Sequence, residues 1–150
     1  MAYFKVEDLP KHVGTYENNC IDGKCSGCGE CCVDLLPLTP AEISRIKEYV
    51  KKHRIQEHRQ APFFDQNATD LSCPFRNQQA KTCEVYPVRP YICRSFICSK
   101  TREDAVRDRD LIHKDRAVHS LRWEVFENPE ALVFIMAVAT AKGGVKYGLL

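Results

Sequence analysis

Apolar residues show little regular periodicity in the first 38 positions of this chain and then gather into short, separated groups. Residues 1 to 24 read as an irregular lead-in, because Gly14, the polar run Glu17 to Asn19 and the pair Asp22-Gly23 all favour turns. Val33 to Leu38 is a short apolar stretch that reads as a strand, and Pro37 confines it to an edge or an end. A helix follows with a defined start: Thr39 as N-cap, Pro40 at the first helical position, and Glu42 closing a capping box. Ile43, Ile46 and Val50 form its apolar stripe with Tyr49 beside it, and the pattern carries the helix to about residue 58, ahead of Ala61-Pro62. Phe63 and Phe64 are expected to anchor the next loop to the core, and the polar run Asn67 to Ser72 delivers Cys73.

Further on, Pro87 and Pro90 shape a bend, and Tyr91 to Phe96 is expected to form a short helix. Thr101 with Asp104 resembles a second cap, opening a charged helix that reaches residue 119 with a thin apolar face of Ala105, Leu111, Ile112 and Val118. Asn128-Pro129 opens a last helix, apolar on nearly every side through Leu132, Val133, Ile135, Met136 and Ala139, which Gly143-Gly144 ends. These elements predict a helix-rich α+β fold in one small domain, with irregular cysteine-bearing loops organised around a metal site. Its cysteine-bearing core spans 20–98 and a helical part spans 99–150.

Composition narrows the function classes. At 150 residues the chain suits one domain, and its net charge of +2 gives no general attraction to polyanions. The basic stretch Lys51 to Arg54, with His58 and Arg59, is flanked by Glu48 and Glu57 and lacks interleaved aromatic residues, so a solvated helix face is expected rather than nucleic-acid binding. The first residues mix charges and show no signal-peptide core, and the longest apolar run, Ala131 to Ala141, is far short of the ~20 residues that cross a bilayer. A cytoplasmic protein without a membrane partner is expected.

The cysteines carry the chemistry. The chain has 9, an odd number, and 8 of them form a two-part array: Cys25, Cys28, Cys31 and Cys32, then Cys73, Cys83, Cys93 and Cys98. In a reducing compartment such clustering points to metal ligation before disulfides. Known spacings fit only in part. The plant-type ferredoxin pattern matches Cys20, Cys25 and Cys28 literally, but the surrounding loop has no further likeness. The bacterial pattern matches Cys25, Cys28 and Cys31 and then fails at Leu35, the next cysteine arriving early as Cys32. A zinc ribbon needs two C-x2-C pairs, and only Cys25-Cys28 has that form, although zinc held by this pair and two distant cysteines stays open.

Adjacent side chains in extended backbone point apart, so Cys31 and Cys32 are not expected to share one ion. Four thiolates around Zn2+ or a [4Fe-4S]2+ core leave a net charge of about minus two. Arg76, Arg89 and Arg94 lie among the cysteines and can donate to sulfur, which makes Arg89 and Arg94 candidate cofactor-binding residues.

Cys25-x2-Cys28-Gly29-x-Cys31-Cys32, followed by Cys73-Pro-Phe, Cys83-x-Val-Tyr-x-x-Arg89-Pro90-x-x-Cys93-Arg94-x-Phe96 and the Leu38 to Ile43 segment, resembles the YkgJ-like cysteine-cluster family. The likeness spans about residues 25 to 98. The resemblance implies zinc or iron chelation, with Cys25, Cys28, Cys31, Cys32, Cys73, Cys83 and Cys93 as ligand candidates and Cys98 a frequent companion. A related domain in flagellin lysine methylases that look like iron-sulfur proteins favours an iron-sulfur cluster, of the 4Fe-4S type, over zinc. The glycine-rich turn that would hold S-adenosylmethionine is missing, so methylation is not implied.

Three roles follow. The first is a cluster protein in electron transfer, redox sensing or service to an enzyme, with a protein partner. The second is a zinc-stabilised interaction module, and the third a redox enzyme with Cys32 or Cys98 as a free thiol. Among other residues, His53 and His58 are five apart and share no helix face for a metal pair, His113 and His119 are expected to be solvated or capping, and Tyr86 and Tyr91 to cover the metal site.

Overall fold

The computed structural model describes residues 3–4, 20–22, 26–29, 31–60, 70–95 and 102–132. Its strands are β1 (Tyr3–Phe4), β2 (Leu35–Leu38), β3 (Arg76–Asn77), β4 (Thr82–Cys83) and β5 (Ala117–Ser120), and its helices are α1 (Pro40–His53), α2 (Tyr91–Ser95), α3 (Arg102–His113) and α4 (Leu121–Phe126). β5 is the centre of a three-stranded antiparallel sheet ordered β1-β5-β2, while β3 and β4 form a separate hairpin. The fold is a small α+β arrangement, as the sequence predicts.

β2 stands at the sheet edge with Pro37 opposite Val118, a place where a missing N–H costs no ladder bond. α1 starts as its capping box requires: Thr39 Oγ1 accepts from the Glu42 N–H at 3.2 Å, and Glu42 Oε2 accepts from the Thr39 N–H at 2.9 Å. Ile43, Ile46 and Val50 are buried as the stripe predicts, and Lys51 to Arg54 lie exposed. The helix stops at His53, earlier than its pattern suggests. Arg54 takes a left-handed conformation, and the Ile55 N–H closes back on the Val50 carbonyl at 3.1 Å, turning Ile55 toward the core.

The core joins Leu36, Leu38, Ile43, Ile46, Val50, Phe75, Val85 and Leu121, with Cys73, Cys83 and Cys93 packed against it. Loops and core therefore meet at the cysteines.

Three expectations need correction. Tyr3 and Phe4 are not irregular but pair as a strand with His119 and Val118. The charged helix does not reach residue 119: α3 ends at His113, because Ala117 to Ser120 pairs along the whole of β2 and gains more from ladder bonds and burial of Val118 than from another helical turn. His119 is not solvated. It is 3% exposed in the middle of the sheet, with Nδ1 at 3.0 Å from the Glu124 carboxylate.

α4 was not foreseen. Ser120 caps it, its Oγ accepting from the Trp123 N–H at 3.2 Å. Asn128 then caps the next helical residues, its Oδ1 accepting from the Glu130 N–H at 3.0 Å, and Ala131 is buried. The rest of that helix, with Phe63 and Phe64, lies outside the described residues.

Candidate metal centre

Four segments bring cysteines to the edge of the core. The first is the turn that ends in Cys31 and Cys32. Gly27 and Gly29 hold positive φ angles of 74° and 81°, and the Cys32 N–H donates to the Gly29 carbonyl at 3.0 Å. The turn then continues as extended backbone beside the second segment: the Cys73 N–H donates to the Cys32 carbonyl at 3.1 Å, Val33 bridges Ser72, and the Asp34 N–H donates to the Leu71 carbonyl at 2.8 Å. Cys32 and Cys73 are thus neighbours across an antiparallel pair.

Cys73-Pro-Phe and Cys83-Glu-Val are alike in form. In each, the backbone N–H two residues on, that of Phe75 for Cys73 and of Val85 for Cys83, favours the charged form of the thiol. Such N–H donors stabilise a thiolate and fix its direction. The β3-β4 hairpin, with Arg76 opposite Cys83 and Lys81 in a left-handed turn, holds the two together.

The fourth segment is α2, which carries Cys93. Its start is held from a distance: Glu42 of α1 accepts with Oε1 from the Tyr91 N–H at 2.9 Å while Oε2 serves the Thr39 cap. Arg116 stands 3.7 Å from that second oxygen. Burial pushes the pKa of the Glu42 carboxyl up, but the Thr39 and Tyr91 N–H groups and the Arg116 charge together hold it below the ordinary carboxylate range.

Cys32, Cys73, Cys83 and Cys93 sense one another's charge. Burial raises the Cys73 thiol well above its usual range, and Cys93, Cys83 and Cys32 raise it further. Cys83 is raised by burial and by Cys32, against the Val85 N–H, Arg89 and Arg76. Cys93 is pushed up to about 12 by burial, then by Cys83 and Cys32, against the pull of Arg89. Cys32 alone goes the other way, to about 6, because Cys31 hydrogen-bonds to it and Arg76 adds its charge, overcoming burial. Each residue keeps part of its surface exposed, and Cys73, Cys83 and Cys93 pack against the core.

The described cysteines are Cys20, Cys28, Cys31, Cys32, Cys73, Cys83 and Cys93, all of them reduced thiols. Cys28 is exposed, Cys31 touches Cys32, and Cys25 and Cys98 lie outside the described residues. Among the described residues no three His, Cys, Asp or Glu side chains stand in metal-holding geometry. The donor set is nonetheless of the right chemistry: thiols that repel one another as anions, with N–H donors and guanidinium groups turned to them, suit a soft cation that supplies the missing positive charge.

The arginines divide. Arg89 reaches Cys83 and Cys93 with its charge while its Nε donates to the Tyr86 carbonyl at 3.1 Å and its guanidinium lies 3.6 Å over the Tyr86 ring. Arg94 is exposed. Tyr86 and Tyr91 are 60% and 46% exposed, with the Arg89 guanidinium over the Tyr86 ring and Arg116 at 5.5 Å from the Tyr91 ring. His53 bonds its own helix at the Tyr49 carbonyl, and His58 pairs with Glu84 at 2.8 Å.

One feature had no sequence signal. Arg122 is only 2% exposed, and its guanidinium reaches the Asp70, His58 and Ser72 carbonyls at 3.2, 2.9 and 2.8 Å, Glu57 Oε1 at 2.6 Å and Ser72 Oγ at 3.1 Å. Its backbone N–H donates to Asp34 at 2.7 Å. Arg122 thereby clamps both chain segments that flank residues 61–69 and fixes the approach to Cys73.

Residues 24–115 match the model of the CxxCxxCC family, a putative zinc- or iron-chelating domain. The chain belongs to that family. The CxxCxxCC match covers every cysteine of the array and runs past residue 98 to take in α3, further than the resemblance read from the motifs. β5 and α4 fall outside the CxxCxxCC span, yet they supply the central strand and the Arg122 clamp. No curated protein and no solved structure gives a significant match. Metal binding is the activity that CxxCxxCC membership supports, and no helix among the described residues is long and apolar enough to cross a membrane.

Proposed function

We propose that this chain is a cysteine-ligated metalloprotein whose principal site uses Cys32, Cys73, Cys83 and Cys93, and that the site holds an iron-sulfur cluster of the 4Fe-4S type. The observation that carries the reading is that separate segments of the chain meet at these residues: strand pairing sets Cys32 beside Cys73, and Cys73, Cys83 and Cys93 pack against the same core cluster. Ionising all of them unaided is opposed by burial and repulsion, so the arrangement makes sense as a receptor for a cation. Its charge balance supports the same view: a four-thiolate centre of about minus two has two guanidinium groups, Arg76 and Arg89, within reach of its thiols.

An iron-sulfur centre is favoured over zinc by placement. The ligand residues are part-exposed and the turn leading to them carries the exposed Cys28, which suits a centre that exchanges electrons with a partner protein. The role is electron transfer, redox sensing or service to an enzyme. Zinc is the second reading, supported by the family description and by the paired turns at Cys73 and Cys83, which suit a single tetrahedral ion. Cys25, Cys28, Cys31 and Cys98 remain candidates for a second site or an exchange of ligands, and the whole chain is one domain in this reading.

Anaerobic purification followed by metal and acid-labile sulfide analysis tests it. Iron and sulfide with a brown chromophore are expected. Colourless stoichiometric zinc refutes the cluster in favour of the zinc module, and absence of both refutes metal binding.

A further inference from the structure

Among the described arginines whose charge reaches the cysteines, Arg76 is more deeply buried than Arg89. It is 5% exposed, it lies opposite Cys83 in the hairpin, and one terminal nitrogen donates to the Gly27 carbonyl on the turn that leads to Cys32. Its Nε is buried and has no hydrogen-bond partner. A buried guanidinium N–H without an acceptor is costly and rare, so such a group points to an acceptor that arrives with a ligand. The turn packs closely on it: a Cβ on Gly29 would stand 2.9 Å from Arg76 Nε, so a larger residue there would push the guanidinium from its place.

We propose that Arg76 is the internal counter-charge of the metal site, its Nε–H donating to a metal-bound thiolate while its terminal nitrogen ties the Cys28-to-Cys32 turn to the Cys73-to-Cys83 hairpin. This rests on the metal-binding reading above and goes beyond it, because it assigns one arginine a positioning role. The charge of Arg76 acts on both Cys32 and Cys83, one from each half of the array, which places it between the halves. Arg89 cannot take this part with its Nε, which is spent on the Tyr86 carbonyl, and exposed Arg94 gains little from a desolvated anion.

Burial makes the arrangement effective. Two thiolates brought together away from water repel strongly, and a cation held between them offsets that repulsion before any metal arrives. A donated hydrogen bond also draws electron density from sulfur, which raises the energy of thiolate-to-metal charge transfer.

Cobalt(II) titration of the whole 150-residue chain, fully reduced and under anaerobic conditions, tests the proposal, because a thiolate ligand set takes this ion whatever metal it holds in the cell. In Arg76→Gln the cobalt affinity, measured against a competing chelator, is expected to fall about 10- to 100-fold. The tetrahedral ligand-field bands should persist while the thiolate-to-cobalt charge-transfer band moves to lower energy. Arg76→Lys, which keeps the charge, should recover most of the affinity.

A purely structural arginine would lower unfolding temperature without moving that band. Unchanged band position and affinity within about twofold in Arg76→Gln overturn the proposal, and so does an Arg76→Lys loss equal to that of Arg76→Gln. Wild-type protein that shows no charge-transfer band overturns the thiolate site itself, and the role of Arg76 falls with it. If Arg76→Gln does not fold, Arg76→Lys decides alone: wild-type-like affinity and band position support the counter-charge, and a loss of cobalt binding overturns it.

Discussion

Replacing Arg122 by methionine tests how the loop bearing Cys73 is held. The methionine fills part of the same volume, but it leaves Glu57 and Asp70 without their cation and strips donors from the carbonyls of His58, Asp70 and Ser72. Some partners survive: Glu57 keeps Asn128 Nδ2 at 2.8 Å, and Asp70 keeps the Gln60 N–H at 2.7 Å and the Ser72 N–H at 2.9 Å. Removing one partner of a buried ion pair costs about 3–5 kcal/mol. The retained donors argue for the lower half of that range, a loss of roughly 3–4 kcal/mol against a total stability of about 5–15 kcal/mol for a domain of this size. The midpoint should fall by about 10 °C. Arg122→Lys, with the charge but not the fork, should fall in between. Urea and thermal unfolding followed by circular dichroism, at fixed metal loading, supply the numbers. A loss of less than about 1 kcal/mol in Arg122→Met would mean that the clamp is no stronger than a surface ion pair, and the reasoning would be refuted.

Further outcomes follow from the same contacts. Glu42→Gln should cost about 1–2 kcal/mol and expose the Tyr91 amide to faster hydrogen exchange, since the carboxylate serves both α1 and α2; unchanged exchange at Tyr91 would separate Glu42 from the Cys93 helix. Because Glu42 is held below the ordinary carboxylate range when folded, its stabilisation is complete above that range and drains away as pH falls through the lower, folded value. The acid limb of the stability curve should therefore flatten in Glu42→Gln, and a curve parallel to wild type would count against this. Gly29→Ala forces a Cβ into a positive-φ position and toward Arg76, so a loss of at least about 1–2 kcal/mol is expected in chemical unfolding together with weaker metal retention; wild-type behaviour would show that the turn can relax. Removing metal with a chelator should lower the unfolding midpoint and loosen the cysteine loops before the sheet, which near-ultraviolet and far-ultraviolet dichroism distinguish; coincident or absent change would contradict it.

Local signals were the legible ones. The Thr39-Pro40-Glu42 start of α1, the strand ending at Leu38, the short helix at Tyr91 and the Asn128 cap all depend on neighbours in the chain, and each is found where those neighbours put it. What depends on distant pairing was hidden. Ala117 to Ser120 follows directly on a charged helical pattern, and only the register with Leu35 to Leu38 makes it a strand. The same holds for Tyr3-Phe4, whose partner lies more than a hundred residues away.

At the site, the cysteine pattern and the adjacency of Cys31 and Cys32 were readable, and so was the surplus of arginine. Which thiols couple was not, because Cys32 meets Cys73 through strand pairing and Cys93 is placed by a carboxylate on α1. Glu42 illustrates the limit: its cap is written four residues wide, while its second oxygen acts on Tyr91, across the fold. Arg122 and its partners are spread over separate segments and leave no pattern at all.

The central claim is that Cys32, Cys73, Cys83 and Cys93 form one ligand set. The most direct measurement is the metal-to-protein ratio of the anaerobically purified chain after each of these is replaced singly by serine, beside Cys20→Ser, with folding checked by circular dichroism. The account predicts that each replacement within the set strips most of the bound metal and that Cys20→Ser keeps it. Wild-type metal content in Cys73→Ser or Cys93→Ser, or a loss confined to Cys20→Ser, would contradict it.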